Sequence, residues 1–224
     1  VSNKTELLED SPISIEPLLN TLFGKALAWH EDNDFINGSG VNEPLGVIAA
    51  PCTLGITRQP ATGYLSYLDI VTMWSRLHPA SQGNSVWLMN PGMIPYLYTA
   101  CLTCTGNDGS DLSGQPVMLP SATGASQSPF TTLMGRPVIF TEHCQAPGTF
   151  GDILLCDFSQ YLIGGKSASG APSLESSIHL GFATDETAFR AVLRYDGAPW
   201  WKSALTPKHG SATLSPFVGL TTKT

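Results

Sequence analysis

Residues 14–37 read SIEPLLNTLFGKALAWHEDNDFIN, from Ser14 to Asn37. Ile15, Leu18, Leu19, Leu22, Phe23, Ala26 and Leu27 recur at steps of three and four. That spacing gathers apolar side chains on one face of an α-helix. Ser11 or Ser14 is placed to cap it, and Pro12 and Pro17 fall on the approach and first turn, where proline is tolerated. Gly38 is expected to end the helix in the left-handed conformation. Gly24 costs roughly 1 kcal/mol against alanine inside a helix, so the stripe must pack well enough to outweigh it. The face carrying Leu22 and Phe23 is therefore expected to be buried, with Leu22→Ala costing about 2–5 kcal/mol.

Around this spine the chain has 224 residues, enough for one large domain or two small ones. Hydrophobic residues make up 42% and charged residues only 13%, with 22 Gly and 17 Pro. This is the composition of a real core with long ordered loops and surfaces suited to being covered by other chains. The net charge of -7 leaves no basic footprint for direct DNA or RNA binding. No apolar run approaches the roughly 20 residues that cross a bilayer, and no signal peptide stands out. Five scattered cysteines argue for reduced thiols rather than a disulfide framework.

Residues 1–13 read as a short strand or arm, and a piece near Leu45–Ile48 as extended. Asp69 opens a second helix, with Ile70, Met73, Trp74 and Leu77 on one face and Pro79 at its end. Ser85–Met89 is a buried strand, and Asn90-Pro91 starts a third helix whose stripe runs through Ile94, Leu97, Tyr98, Cys101 and Leu102. Residues 105–130 form a long Gly/Ser/Thr/Pro loop, with a hairpin around Pro116–Leu119. Pro137–Thr141 and Asp152–Phe158 are strands, and 164–173 is a flexible link. Ser177–Ala183 is a strand. Phe189–Tyr195 is another, with Phe189, Ala191, Leu193 and Tyr195 facing one way and Arg190, Val192 and Arg194 the other.

Motifs that carry chemistry are incomplete. Cys101-x-x-Cys104 lacks the second pair of a zinc site, and helical spacing explains both as core residues. Gly165-Lys166-Ser167 lacks the earlier glycine of a phosphate loop, Gln160 standing there. Gly38-Ser39-Gly40 fails the dinucleotide fingerprint at Glu43. His30, His78, His143, His179 and His209 show no ligand spacing, and Glu142 and His143, adjacent on an expected strand, point to opposite faces. Asn3-Lys4-Thr5 and Asn37-Gly38-Ser39 are chance matches to a short glycosylation pattern. No residue is assigned a catalytic, cofactor-binding or metal-ligating role.

Four stretches, in order, resemble the major capsid protein of tailed phages of the HK97 type. They are VSNKTELLEDS with the spine and its N-G-x-G turn, SVWLMNPGMIPYL, LMGRPVIFTEHCQAPGTFGDILLCDFSQYLIG, and FATDETAFRAVLRYDGAPWWKSALTP. The resemblance implies an α+β fold with a peripheral domain over 1–67 and 171–224, holding the spine helix (about 14–37) and a long sheet. It implies an axial domain over 68–170 with residues 105–130 at its tip. It further implies a structural, non-enzymatic shell subunit without cofactors, partnered by copies of itself in pentamers and hexamers. Such a shell encloses DNA without reading its sequence and has no membrane contact, in a virion assembled in the bacterial host cytoplasm. The family's N-terminal arm and extended loop are not matched, so the chain reads as the C-terminal portion of such a protein, expected to be monomeric or weakly associated by itself. No Asn follows Asn107, which leaves the family's Lys–Asn cross-link without support. Two other readings are an encapsulin-type compartment shell and a hydrolase using His143 or a cysteine, the latter requiring a deep pocket with a perturbed titrating group.

Overall fold

A computed structural model describes residues 2–4, 15–59, 64–99, 132–165, 173–181, 183–184 and 186–222. The expected caps Ser11 and Ser14, Cys101, Leu102, Cys104, the 105–130 loop and its hairpin lie outside them. The long helix forms as α1 (Ile15–Asn37). β1 (Ser2–Lys4) precedes it and β2 (Leu54–Ile56) follows. α2 (Tyr67–Arg76) leads to β3 (Val86–Met89) and α3 (Ile94–Thr99). β4 (Thr132–Leu133), β5 (Arg136–Phe140), β6 (Ile153–Cys156) and β7 (Tyr161–Gly165) come next. β8 (Ser173–Gly181), β9 (Glu186–Val192), β10 (Tyr195–Pro199) and β11 (Phe217–Leu220) complete the order.

Six strands make the central sheet, in the order β2-β11-β6-β3-β5-β4. β2 runs parallel to β11, and β3 to β5; the other pairs are antiparallel. Successive side chains of a strand point to opposite faces. In its central strands β11, β6 and β3 both faces are largely buried. Trp87, Met89, Ile153, Leu155, Val218 and Leu220 face a core closed by Ile70 and Met73 of α2, by Leu77 just after it, and by Met93 and Leu97. Leu88, Leu154, Cys156 and Phe217 face a second core closed by Ile36 of α1, Val47, Ala50, Cys52 and Tyr161. β8 and β9 form an antiparallel pair with an irregularity between Ser177 and Gly181, and β1 adds to the other side of β9. β10 and β7 form a third, two-stranded unit.

Several expectations change. α2 begins at Tyr67 rather than Asp69: Ser66 caps it, and Asp69 supplies the return bond of a capping box, accepting the Ser66 N–H at 3.0 Å. Residues 47–49 form a turn rather than a strand. The reason is that the N–H groups of Val47 and Ile48 are taken by the carbonyls of Phe35 and Ile36, two of the acceptors a helix end leaves unpaired. Gly38 is absent from the positive-φ residues. A Cβ there would lie 2.2 Å from the Pro44 carbonyl oxygen, so close backbone approach requires the glycine. Gly164 and Gly165 belong to β7, paired with Asp196 and Tyr195, so the expected link begins beyond them. The strand expected over 189–195 divides: β9 stops at Val192, and Tyr195 opens β10. Val192 is half-buried, as is Ala191, while Arg190 is exposed and pairs with Glu175.

The largest correction concerns the spine. Its last turn buries Ile36, but Leu18 is 50% and Leu22 51% exposed, and Phe23 and Leu27 are only half-buried. The stripe exists; the described chain does not cover it. Leu22→Ala is accordingly expected to cost less than about 1 kcal/mol, against about 2–5 for a buried leucine such as Leu155. Urea unfolding of the two variants checks this.

Candidate functional site

At the last turns of α1 the helix meets the rest of the chain through polar contacts at its edges. Asn37 donates to the His143 carbonyl at 2.8 Å and accepts from Gln145 at 2.7 Å. Trp29 donates its indole N–H to the Glu142 carboxylate, and its ring lies 5.0 Å from that of His143 and 5.1 Å from that of His30. Glu142 and His143 therefore sit in a turn, not on a strand, and both hold the spine helix. The hydroxyl of Tyr195 donates to Asp34 at 2.7 Å, and that of Tyr161 to the Leu45 carbonyl at 2.9 Å. The Phe35 ring packs edge-on between both tyrosines. Burial, reinforced by Asp196 and Asp34, pushes the Tyr161 hydroxyl up to about 12. Burial and its bond to Asp34 push Tyr195 upward too. These phenols stay protonated as hydrogen-bond donors and behave as struts.

A groove of about 450 Å³ opens beside this junction. Phe35, Ile36, Leu88, Ile139, Phe158 and Ile163 line it. Asp32 and His143 line it as well, but no hydrogen bond joins them among the described residues, and the groove is mainly apolar. Ile139 and Ile163 are exposed. The lining suits contact with another apolar surface better than proton transfer.

The cysteines are equally quiet. Cys52, Cys144 and Cys156 are buried free thiols. Burial raises all three, Cys144 to about 12, which keeps them as unreactive thiols rather than thiolates. Among the described residues no group of three or more His, Cys, Asp or Glu is placed to hold a metal ion. Gly165 ends β7, and Lys166 and Ser167 lie outside the described residues. Gly38, Ser39 and Gly40 form the turn after α1, with the Glu43 carboxylate accepting the Ser39 N–H at 2.7 Å. No described helix is long and apolar enough to cross a membrane.

One charged centre went unread in the sequence. Arg58 and Asp152 form a buried ion pair, both carboxylate oxygens 2.9 Å from the same guanidinium nitrogen. Arg58 also donates to the Thr221 carbonyl at 3.1 Å and to that of Tyr64, while Asp152 accepts the Gly148 N–H at 2.8 Å. Burial raises the Asp152 carboxyl, and the donors from Gly148 and Arg58 pull the other way. The pair ties the exits of β2 and β11 to the turn before β6. An acid directly preceding the apolar run Ile153–Cys156 was the available signal, since unpaired charges are rarely placed at a core.

The geometry as a whole is that of surfaces rather than a furnished cleft, and the comparisons agree. The profile of the phage capsid family matches residues 1–208. No curated protein sequence matches. Among solved structures, the capsid of an empty GTA particle, computed with C5 symmetry, aligns with 100% of this chain and 71% of its own at 19% identity, with a TM-score of 0.71. The structure titled Mycobacterium phage Bobi aligns with 99% of this chain and 69% of its own at 13% identity, TM-score 0.60. The holo-SrpI encapsulin complex from Synechococcus elongatus PCC 7942 aligns with 99% and 71% at 15% identity, TM-score 0.58. At such identities the likenesses establish the fold: α+β, with the long spine helix and mixed sheet of HK97-type capsid proteins.

Proposed function

The chain belongs to the phage capsid family, and on that premise we propose that its copies associate as pentamers and hexamers through surfaces the single chain leaves uncovered. It is a structural subunit of a capsid shell, and its family is not enzymatic. The observation that carries the finer reading is the exposed apolar face of α1, with Leu18 and Leu22 about half open. Apolar surface of that kind is expected to be covered by a partner. A shell is made from many repeated contacts, closed by symmetry.

In this reading residues 1–67 and 171–224 form the peripheral part and 68–170 the axial part, pointing toward the capsomer axis. β2 and β11, which pair into the central sheet, would be the joint between them. The shell would enclose DNA without reading its sequence, which the net charge of -7 favours. The encapsulin-like alternative shares the fold, and contents separate the two: nuclease-protected DNA for a virion, a protein cargo for a compartment.

Electron microscopy and sedimentation of the protein expressed alone test the proposal. Weak association into capsomer-sized oligomers, growing with concentration, is expected. A monomer at every concentration, including those used for grids, would overturn the capsomer reading.

A further inference from the structure

The chain is acidic, but its acids stop at Asp196. Residues 197–224 contain Lys202, Lys208, His209 and Lys223 and no Asp or Glu. Most of these cations lie on one loop, from Trp200 to Ala212. The loop is anchored at both ends. Trp201 donates its indole N–H to Gln160 at 3.1 Å and packs 5.2 Å from the His78 ring. Leu205 and Leu214 exchange two backbone hydrogen bonds of 2.8 Å, and Arg76 donates to Thr213. On this loop Trp200 is 66% exposed, and Lys202, Leu205, Lys208 and His209 are exposed too. Among the described residues the ion pairs are Arg58–Asp152 and Arg190–Glu175, and neither loop lysine is paired with a described carboxylate.

An opposite imbalance stands at the end of the spine helix. The C-terminal end of an α-helix carries partial negative charge and is stabilised by cations. α1 has no basic residue in its last turn. Its last two turns carry Glu31, Asp32 and Asp34 instead, and Glu43 follows in the next turn. Burial, then the charges of Asp32 and Asp34, push the Glu31 carboxyl upward, as crowded like charges do. Asp34 finds a Tyr195 hydroxyl, which neutralises nothing.

We infer that the Trp200–Ala212 loop docks on the acidic end of α1 of a second copy of this chain. Trp200 supplies the apolar anchor, of the residue type that most often dominates an interface. Lys202 and Lys208 supply the charge that α1 lacks. The contact joins two different patches and so runs head to tail, the kind that generates rings where the rotation closes. A nucleic acid would satisfy the lysines but leave the helix end unneutralised; a second copy satisfies both. The inference rests on the shell-subunit reading.

The test uses the whole protein and three variants: Lys202→Glu/Lys208→Glu, Trp200→Ala, and a charge swap adding Glu31→Lys/Asp32→Lys to the first. All five positions are on the surface or half-buried, and thermal melting checks that each variant folds. The concentration giving half-assembly in sedimentation is expected to rise about tenfold or more in the first two, and to fall back toward wild type in the swap. Unchanged assembly of the folded loop variants would overturn the inference, as would a folded swap without recovery. Wild-type assembly with loss only of duplex DNA retention would reassign the loop to nucleic acid. If the wild type never assembles, the shell reading itself fails and takes this contact with it.

Discussion

Arg58→Met is expected to lower the unfolding free energy by about 3–5 kcal/mol, because it leaves Asp152 buried without its counter-charge. The guanidinium and the carboxylate are both almost wholly inaccessible, and Arg58 holds two further carbonyls besides. Taking two charges out of water is costly, and only the paired geometry offsets that cost. Removing both should therefore hurt less than removing one: Arg58→Met/Asp152→Leu should recover a large part of the loss, short of the bonds to Thr221, Tyr64 and Gly148. Urea unfolding of wild type, the two single variants and the double variant completes the cycle. A single variant within about 1 kcal/mol of wild type would mean that water reaches the pair and that it is an ordinary surface contact.

Trp87→Ala is the second large effect, also about 3–5 kcal/mol. Trp87 has no exposed surface and sits on the central strand β3, level with Leu155 on one side and Val138 on the other. Its indole N–H donates to the Leu133 carbonyl at 3.0 Å, which fastens the short strand β4 to the sheet interior. Truncation opens a cavity in the core that α2 closes and strands that carbonyl. Trp87→Phe keeps much of the volume and should cost less, leaving chiefly the unpaired acceptor, on the order of 1–3 kcal/mol. Equal losses for Ala and Phe would show that the hydrogen bond, rather than the packing, carries the stability here.

Both residues also mark the limits of sequence reading. Trp87 was legible: Val86–Met89 is a short unbroken apolar run after the turn residues Gly83 and Asn84, the pattern of a strand covered on both faces. Observed burial of Trp87, Leu88 and Met89 agrees. Arg58 was not, because its partner lies 94 residues away and nothing local distinguishes a buried arginine from an exposed one. The junction at Glu142 and His143 was misread for a related reason. Two residues after β5 the strand pattern still looks continuous, but Trp29, 113 residues earlier in the chain, takes Glu142 as its acceptor and the backbone has already turned.

What residue order alone determined is local. The three-and-four spacing of Ser14–Asn37 made a helix of 23 residues, and the short apolar runs at Val86–Met89 and Ile153–Cys156 made strands. The capping chemistry at Ser66 and Asp69 is likewise local, as is the absence of a complete catalytic or metal motif. Tertiary structure alone decided which faces are covered. Periodicity states that certain side chains share a side; whether that side is dry depends on what arrives from distant chain. For β3 and β6 both sides are filled, one by α2 and Met93 and Leu97, the other by the end of α1, residues 47–52 and Tyr161. For the first turns of α1 no described element fills the groove, and the stripe stands open. Gly38 shows the same division on the scale of one atom: its place after a helix is written locally, but the carbonyl of Pro44, 2.2 Å from where a Cβ would stand, is what forbids any other residue.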